Sequence, residues 1–320
     1  MKHLILSVIF FLSSVCYADV GTTTGYLLEV STGARPSGRG ESFVAASDIN
    51  SIYYNPGGLG FLNSPQLSVM YIKGGLDINY EYLAGILPIK NIGVVGLSIF
   101  AFQGGSIEII DSLDNSTTKN SEVDFLISLA YAREMFMKGL SVGITNKYLL
   151  STLVDEYKAN TYTFDLGALY RIDEISIGMS ISNIIGGLKY FETTDKLPLI
   201  IRGGIEYLLN ILDEHEICIS ADVISSGKLK VNIGIEYLYQ KFLSGRLGYR
   251  IGDNGLTLGI GYRLNFSDDL SGSIDYAFLP GSDWSVSHKF SLNIYFGEVL
   301  QDAFTKKKGK IPGVPGRVIQ

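Results

Sequence analysis

With 320 residues and a net charge of −6, the chain offers no basic face of the kind nucleic acid requires. It is 46% hydrophobic and carries 37 glycines, yet beyond its first residues no segment reaches 18 uninterrupted apolar positions. A bundle of membrane-spanning helices is thereby excluded, and the apolar residues must be spread over shorter elements.

Residues 1–18 read as a secretory leader. Lys2 and His3 give a short positive start, Leu4 to Val15 an apolar run, and Cys16-Tyr17-Ala18 a small-x-Ala cleavage pattern. The run is too short to cross a bilayer as a helix, which takes roughly 20 residues. Export with cleavage after Ala18 is expected. Acylation at Cys16 is the weaker alternative, because Val15 stands where a small residue is wanted. Removing the leader leaves Cys218 as the sole thiol, so no internal disulfide forms.

Residues 19–64 follow, and within them Gly33 to Phe61 reads GARPSGRGESFVAASDINSIYYNPGGLGF. Small residues are dense, strand alternation is absent, and an Asn-Pro-Gly-Gly turn stiffens the end. Such a segment ahead of many strands predicts a plug inside a barrel. Gly33, Gly38, Gly40, Gly57 and Gly58 permit close backbone approach and positive φ. Pro56 biases Asn55 away from helix. Asp48 and Asn55 are placed to bond nearby backbone amides. Arg35 and Arg39 are expected to pair with lumenal carboxylates among Asp124, Asp165, Glu206, Asp222, Glu236 and Asp275. The plain alternative is that these residues, with Leu59, are scaffold without a role toward any ligand.

Residues 65–297 read as the barrel, in period two. Leu229, Val231, Ile233, Ile235, Tyr237 and Tyr239 share one face; Lys228, Lys230, Asn232, Gly234 and Glu236 share the other. The split recurs at Ile175-Ile177-Met179-Ile181 against Ser176-Gly178-Ser180-Ser182, and at Leu256-Leu258-Ile260-Tyr262 against Thr257-Gly259-Gly261-Arg263. Division at turn residues predicts fourteen strands of roughly 10 residues, the length a tilted membrane strand needs. Their starts fall near Gln66, Leu76, Ile92, Glu122, Gly139, Asn160, Glu174, Leu197, His215, Gly227, Phe242, Gly255, Asp269 and Trp284. Long loops are expected at Gln103 to Ser121, Ser151 to Ala159 and Ile184 to Lys196. Short turns such as Lys90-Asn91, Ile172-Asp173 and Gln240-Lys241 fall on the opposite side. That parity suits an outer-membrane barrel, as do tyrosines recurring at strand ends. A soluble β-sandwich binding protein is the alternative, but its second face would be rich in charge rather than in Gly and Ser.

The strings Gly33-Ala34-Arg35, Gly38-Arg39-Gly40, Phe43-Val44-Ala45-Ala46-Ser47-Asp48 and Tyr53-Tyr54-Asn55-Pro56-Gly57-Gly58-Leu59 resemble the PorV/PorQ family, itself similar to FadL-type outer-membrane barrels. Gly57 replaces the family's usual Ala, and Tyr54 its usual Trp. The resemblance implies a transmembrane antiparallel barrel of about fourteen strands with an N-terminal plug in its lumen. It also implies transport of hydrophobic compounds or a part in type IX secretion across the cell outer membrane. Partners would be outer-membrane lipid, secretion-system subunits or secreted cargo, and hydrophobic small molecules.

Residues 298–320, with Lys306-Lys307-Lys308, read as a periplasmic tail. No HExxH, paired Cys ligands, P-loop or GxSxG elbow occurs. No cofactor, metal or catalytic residue is therefore expected, and a lipid-modifying enzyme is the lesser alternative.

Overall fold

Opposite chemistry on alternate residues closes the sheet. The computed structural model describes residues 24–74, 78–110, 112, 114–212, 215–252, 255–280 and 286–297; the leader at 1–18 and the tail at 298–320 lie outside them. In chain order its strands are β1 (Gln66–Lys73), β2 (Asn79–Ile89), β3 (Gly93–Gln103), β4 (Ser106–Ile110), β5 (Ser116–Asn120), β6 (Glu122–Glu134), β7 (Leu140–Leu153), β8 (Tyr157–Ile172), β9 (Ile175–Ser182), β10 (Gly187–Leu188), β11 (Asp195–Lys196), β12 (Ile200–Leu212), β13 (His215–Ser226), β14 (Lys228–Tyr239), β15 (Leu243–Ile251), β16 (Gly255–Ser267), β17 (Leu270–Pro280) and β18 (Val286–Phe296). Fourteen of these form a closed barrel in which every neighbour is antiparallel. β4 with β5, and β10 with β11, are separate two-stranded hairpins.

The barrel is sealed by β1 against β18, from Gln66↔Tyr295 to Lys73↔His288. A closed sheet leaves no edge to satisfy, which is why it tolerates lipid. Each of the fourteen expected strands has a counterpart whose start falls within three residues of it. The soluble sandwich is excluded by the closure itself.

Outward positions are mostly apolar: Leu67, Val69, Leu97, Ile99, Ile233, Ile235, Leu258 and Ile260 are all exposed. In β1 the burial alternates without a break along eight residues. Tyr131, Tyr207, Tyr237, Tyr239, Phe242 and Tyr262 are exposed toward one end of the wall, where amphipathic rings suit a membrane interface.

The inward face divides into two halves. On β7 to β9 and β12 to β18 it is mostly small or charged, with Lys147, Arg202, Glu206 and Arg246 buried among serines and glycines. On β1, β2, β3 and β6 it is apolar: Met70, Ile72, Tyr80, Tyr82, Phe100, Phe102 and Leu126 are buried in one cluster with Leu27, Leu28, Ile49, Ile52 and Leu59. The lumenal wall is thus greasy where it meets the greasy side of residues 24–62, and charged elsewhere.

Two loop expectations change. The supposed long loop Ser151 to Ala159 is a tight turn between β7 and β8, with Val154 and Asp155 both at positive φ (55° and 57°). The other two long connections contain the hairpins β4–β5 and β10–β11.

Candidate functional site: the lumenal segment and its ionic seat

Residues 24–62 run as short helical turns against the inward faces of the strands: Tyr26–Leu28, Ala34–Gly38, Ser51–Tyr54 and Pro56–Phe61. None is long enough to bond its own backbone fully, so strand side chains complete the work. Asp222 on β13 accepts from the amides of Phe43 (2.7 Å) and Val44 (2.9 Å). The Ser291 hydroxyl on β18 accepts from the Ala34 amide at 2.8 Å. Lys289 donates to the Ser31 carbonyl at 2.8 Å.

The charged chemistry of the segment converges on Glu236 of β14. Arg35 reaches it with two nitrogens, Nε at 3.2 Å and Nη2 at 3.0 Å. Arg39 Nη1 lies 3.4 Å from the same carboxylate, and Arg246 Nε of β15 lies 2.7 Å away. Arg39 Nη2 donates to Glu206 of β12 at 2.5 Å and to the Cys218 sulfur of β13 at 3.2 Å. Arg246 is held in turn by Asp275 of β17 at 2.7 Å. The Arg39 guanidinium also lies 5.2 Å from the Phe43 ring centroid. A second pair, Lys147 of β7 with Asp165 of β8 at 2.5 Å, sits beside the Tyr53 ring.

Of the six expected carboxylates, Glu206 and Glu236 pair with the segment's arginines. Asp222 instead holds segment amides, Asp165 pairs with Lys147, Asp275 pairs with Arg246, and Asp124 accepts from Ser151. Asp48 meets Arg35 at 3.4 Å and accepts from the Asn50 amide at 2.7 Å. Asn55 adopts extended backbone and accepts from the Gly57 amide at 3.1 Å, while its amide group donates to the carbonyls of Val44 (2.7 Å) and Ala168 (2.9 Å). Pro56 opens the last helical turn, and Leu59 is fully buried in the apolar cluster.

The glycines act in two ways. Gly40 takes φ of 66° and lies against Gly248 and Ile233; Gly57 does not, and its role is contact, since an added Cβ would stand 2.8 Å from the Ala168 Cα. Gly38 and Gly58 also lack positive φ.

Arg246, Lys147 and Lys289 were not foreseen as partners. All three lie in the inward register of alternating strands, which is the signal that would have found them. Cys218 is buried rather than half-buried. Two lumenal cavities, one beside Arg35 and Arg246 and one beside Tyr53 and Arg202, are each about 70 Å³. An apolar cavity that takes up benzene is about 150 Å³, so neither is sized for a hydrophobic solute.

Among solved structures the fold is similar to the CymD monoaromatic hydrocarbon channel (TM-score 0.59, 12% identity, covering 84% of this chain and 98% of that one). The Pseudomonas putida toluene transporter TodX matches with TM-score 0.57 at 11% identity, and a Pseudomonas aeruginosa FadL homologue with 0.52 at 13%; each covers 84% of this chain and 98% of its own. No curated protein sequence matches. The profile of the family described as type IX secretion system membrane protein PorP/SprF matches residues 112–294, more than half of the sequence. The Gly33–Leu59 motif lies outside that span. This outer-membrane barrel belongs to the PorP/SprF family of type IX secretion system membrane proteins.

Proposed function

We propose that the protein works in type IX secretion as an adaptor that holds other polypeptides at the cell surface, its barrel serving as an anchor rather than as an open conduit. The observation that carries this reading is the lumen occupied by the chain's own residues 24–62, pinned through Arg39 to Glu206 and Glu236. That segment acts as a plug spanning residues 19–64. Docking falls to the two inserted hairpins, β4–β5 and β10–β11, at the end opposite the short turns. Residues 1–18 serve as a cleaved leader and residues 298–320 as a periplasmic tail. The likeness of the N-terminal motif to the PorV/PorQ group fits a secretion role. No catalysis is assigned.

A second reading has its own support. The apolar lumenal wall around Tyr80, Tyr82, Phe100 and Phe102 would face an empty lumen if the segment withdrew. The similar solved structures include a monoaromatic hydrocarbon channel and a toluene transporter, so a hydrophobic-solute conduit gated by the plug is the runner-up. Recovery of the protein with native partners, followed by mass spectrometry of bound lipid and protein, separates the two. Co-purifying secretion subunits or exported cargo support the adaptor; a small hydrophobic ligand alone sinks it.

A further inference from the structure

The geometry points to a bound anionic phospholipid on the outer wall of β6 to β9, with an acyl chain in a groove there and its phosphate on Arg133. The groove is about 570 Å³, and its lining is nearly all apolar: Met135, Val142, Ile144, Leu166, Met179 and Ile181. Most of a barrel wall is ribbed by such side chains. Here the backbone of Gly143 and Gly167 forms part of the floor, between the outward side chains of Val142, Ile144 and Leu166. At the short-turn end of the groove stands Arg133, at the end of β6. Among the described residues no ion pair engages Arg133 or Lys138. A cation without an ion-pair partner at the mouth of an apolar trough, with Lys138 in the adjoining turn, matches a phosphodiester joined to acyl chains, not a neutral solute.

The turn that carries Lys138 supplies a second, independent sign. Its residues Met135, Phe136 and Met137 are 41%, 102% and 55% exposed. Other turns at this end expose at most one such side chain each, Ile92 beside Lys90-Asn91 and Phe242 beside Gln240-Lys241, and Asp173-Glu174 exposes none. Three large apolar side chains in water are costly, whereas beside lipid headgroups they are at home. The turn therefore lies in the membrane interface and frames the headgroup between Arg133 and Lys138.

The groove also backs directly onto the plug. A Cβ added at Gly143 would stand 2.5 Å from the Pro56 carbonyl carbon, and one at Gly167 would stand 2.7 Å from Pro56 Cδ. A single thickness of backbone separates the acyl chain from the Asn55-Pro56-Gly57 turn.

Native mass spectrometry of the full chain in detergent, with added phosphatidylglycerol, tests the site. Wild type is expected to retain one phosphatidylglycerol, and Arg133→Ala with Lys138→Ala to retain at least fivefold less. Val142→Trp, which fills the trough from the lipid side, should do the same with both cations intact; Ile144→Phe is the substitute should that variant fail to fold. Lys90→Ala with Lys241→Ala, in other turns of the same end, should match wild type. Equal retention in the Arg133/Lys138 variant overturns the proposal, as does equal retention of phosphatidylcholine. Capture of a protein rather than lipid by a photoreactive group at Phe136 overturns it too.

Discussion

Arg39 and Glu206 lie 2.5 Å apart with the guanidinium wholly removed from solvent, so the first part of the chain is bonded to a strand 167 residues away. Glu206 and the Cys218 sulfur both meet that cation, which also shares Glu236 with Arg35 and Arg246. Breaking a buried ion pair from one side leaves the other charge uncompensated and costs about 3–5 kcal/mol. Arg39→Ala is therefore expected to lower the unfolding midpoint in detergent and to raise protease sensitivity within residues 24–62. Arg39→Ala combined with Glu206→Gln should recover part of the loss. A midpoint equal to wild type would remove the ionic seat from the account.

Cys218 gives a reading of the same contact without engineering. Its sulfur is buried beside Arg39, and the sequence holds one other cysteine, Cys16. Maleimide should label it slowly in the native barrel and rapidly after Arg39→Ala. Fast labelling of the unaltered protein would mean that the segment leaves the lumen on its own.

The Asn55 amide group holds two carbonyls, one in the segment and one on β8. Leaving a buried polar partner unsatisfied costs about 1–3 kcal/mol for each group. Asn55→Ala with Pro56→Ala is expected to loosen the plug and to produce conductance in a planar bilayer where the parent protein shows little. Conductance that does not change counts against a plug.

At the loop end, the Asn120 backbone amide donates to Asp155 at 2.9 Å, and the Asn120 side chain adds a bond at 3.1 Å. These bonds hold the Asp155 carboxyl below its ordinary value. A depressed carboxyl contributes stability above its unfolded value and loses it as pH falls through the folded one. Docking of the β4–β5 hairpin onto the β7–β8 turn should therefore be constant from neutral pH down to about 4 and weaken below that. Spin labels at Thr118 and Glu156 would report the separation, and a distance that changes between pH 7 and pH 5 contradicts this.

Most of the barrel was legible in the sequence because lipid outside and small polar groups inside impose opposite chemistry on successive residues. β14 shows this plainly, with Ile233 and Ile235 outward and Asn232 and Glu236 buried. The pattern fades where that opposition ends. On β7 and β8 the outermost residues Thr152, Lys158 and Asn160 are polar, so a tight turn passed for a loop. On β2 and β3 both faces are apolar, because the inner one meets Leu27, Leu28 and Ile52 instead of water. The segment's motif pointed to close packing, through Pro56 and the glycines. It did not show which strand residue each arginine would meet, since that depends on barrel register.

That divided lumen yields the sharpest check on which way the sheet faces. Phe100 and Ile99 are neighbours on β3, the first buried against Tyr80 and Tyr82 and the second exposed to lipid. Truncating a buried Phe removes packing and leaves a cavity, at about 3–5 kcal/mol. Truncating a residue that touches only lipid leaves no cavity, because acyl chains fill the space. Phe100→Ala should thus lower the unfolding midpoint strongly and Ile99→Ala only slightly, both read in the same detergent. The reverse order would turn the strand inside out, and with it every inward residue assigned to the plug.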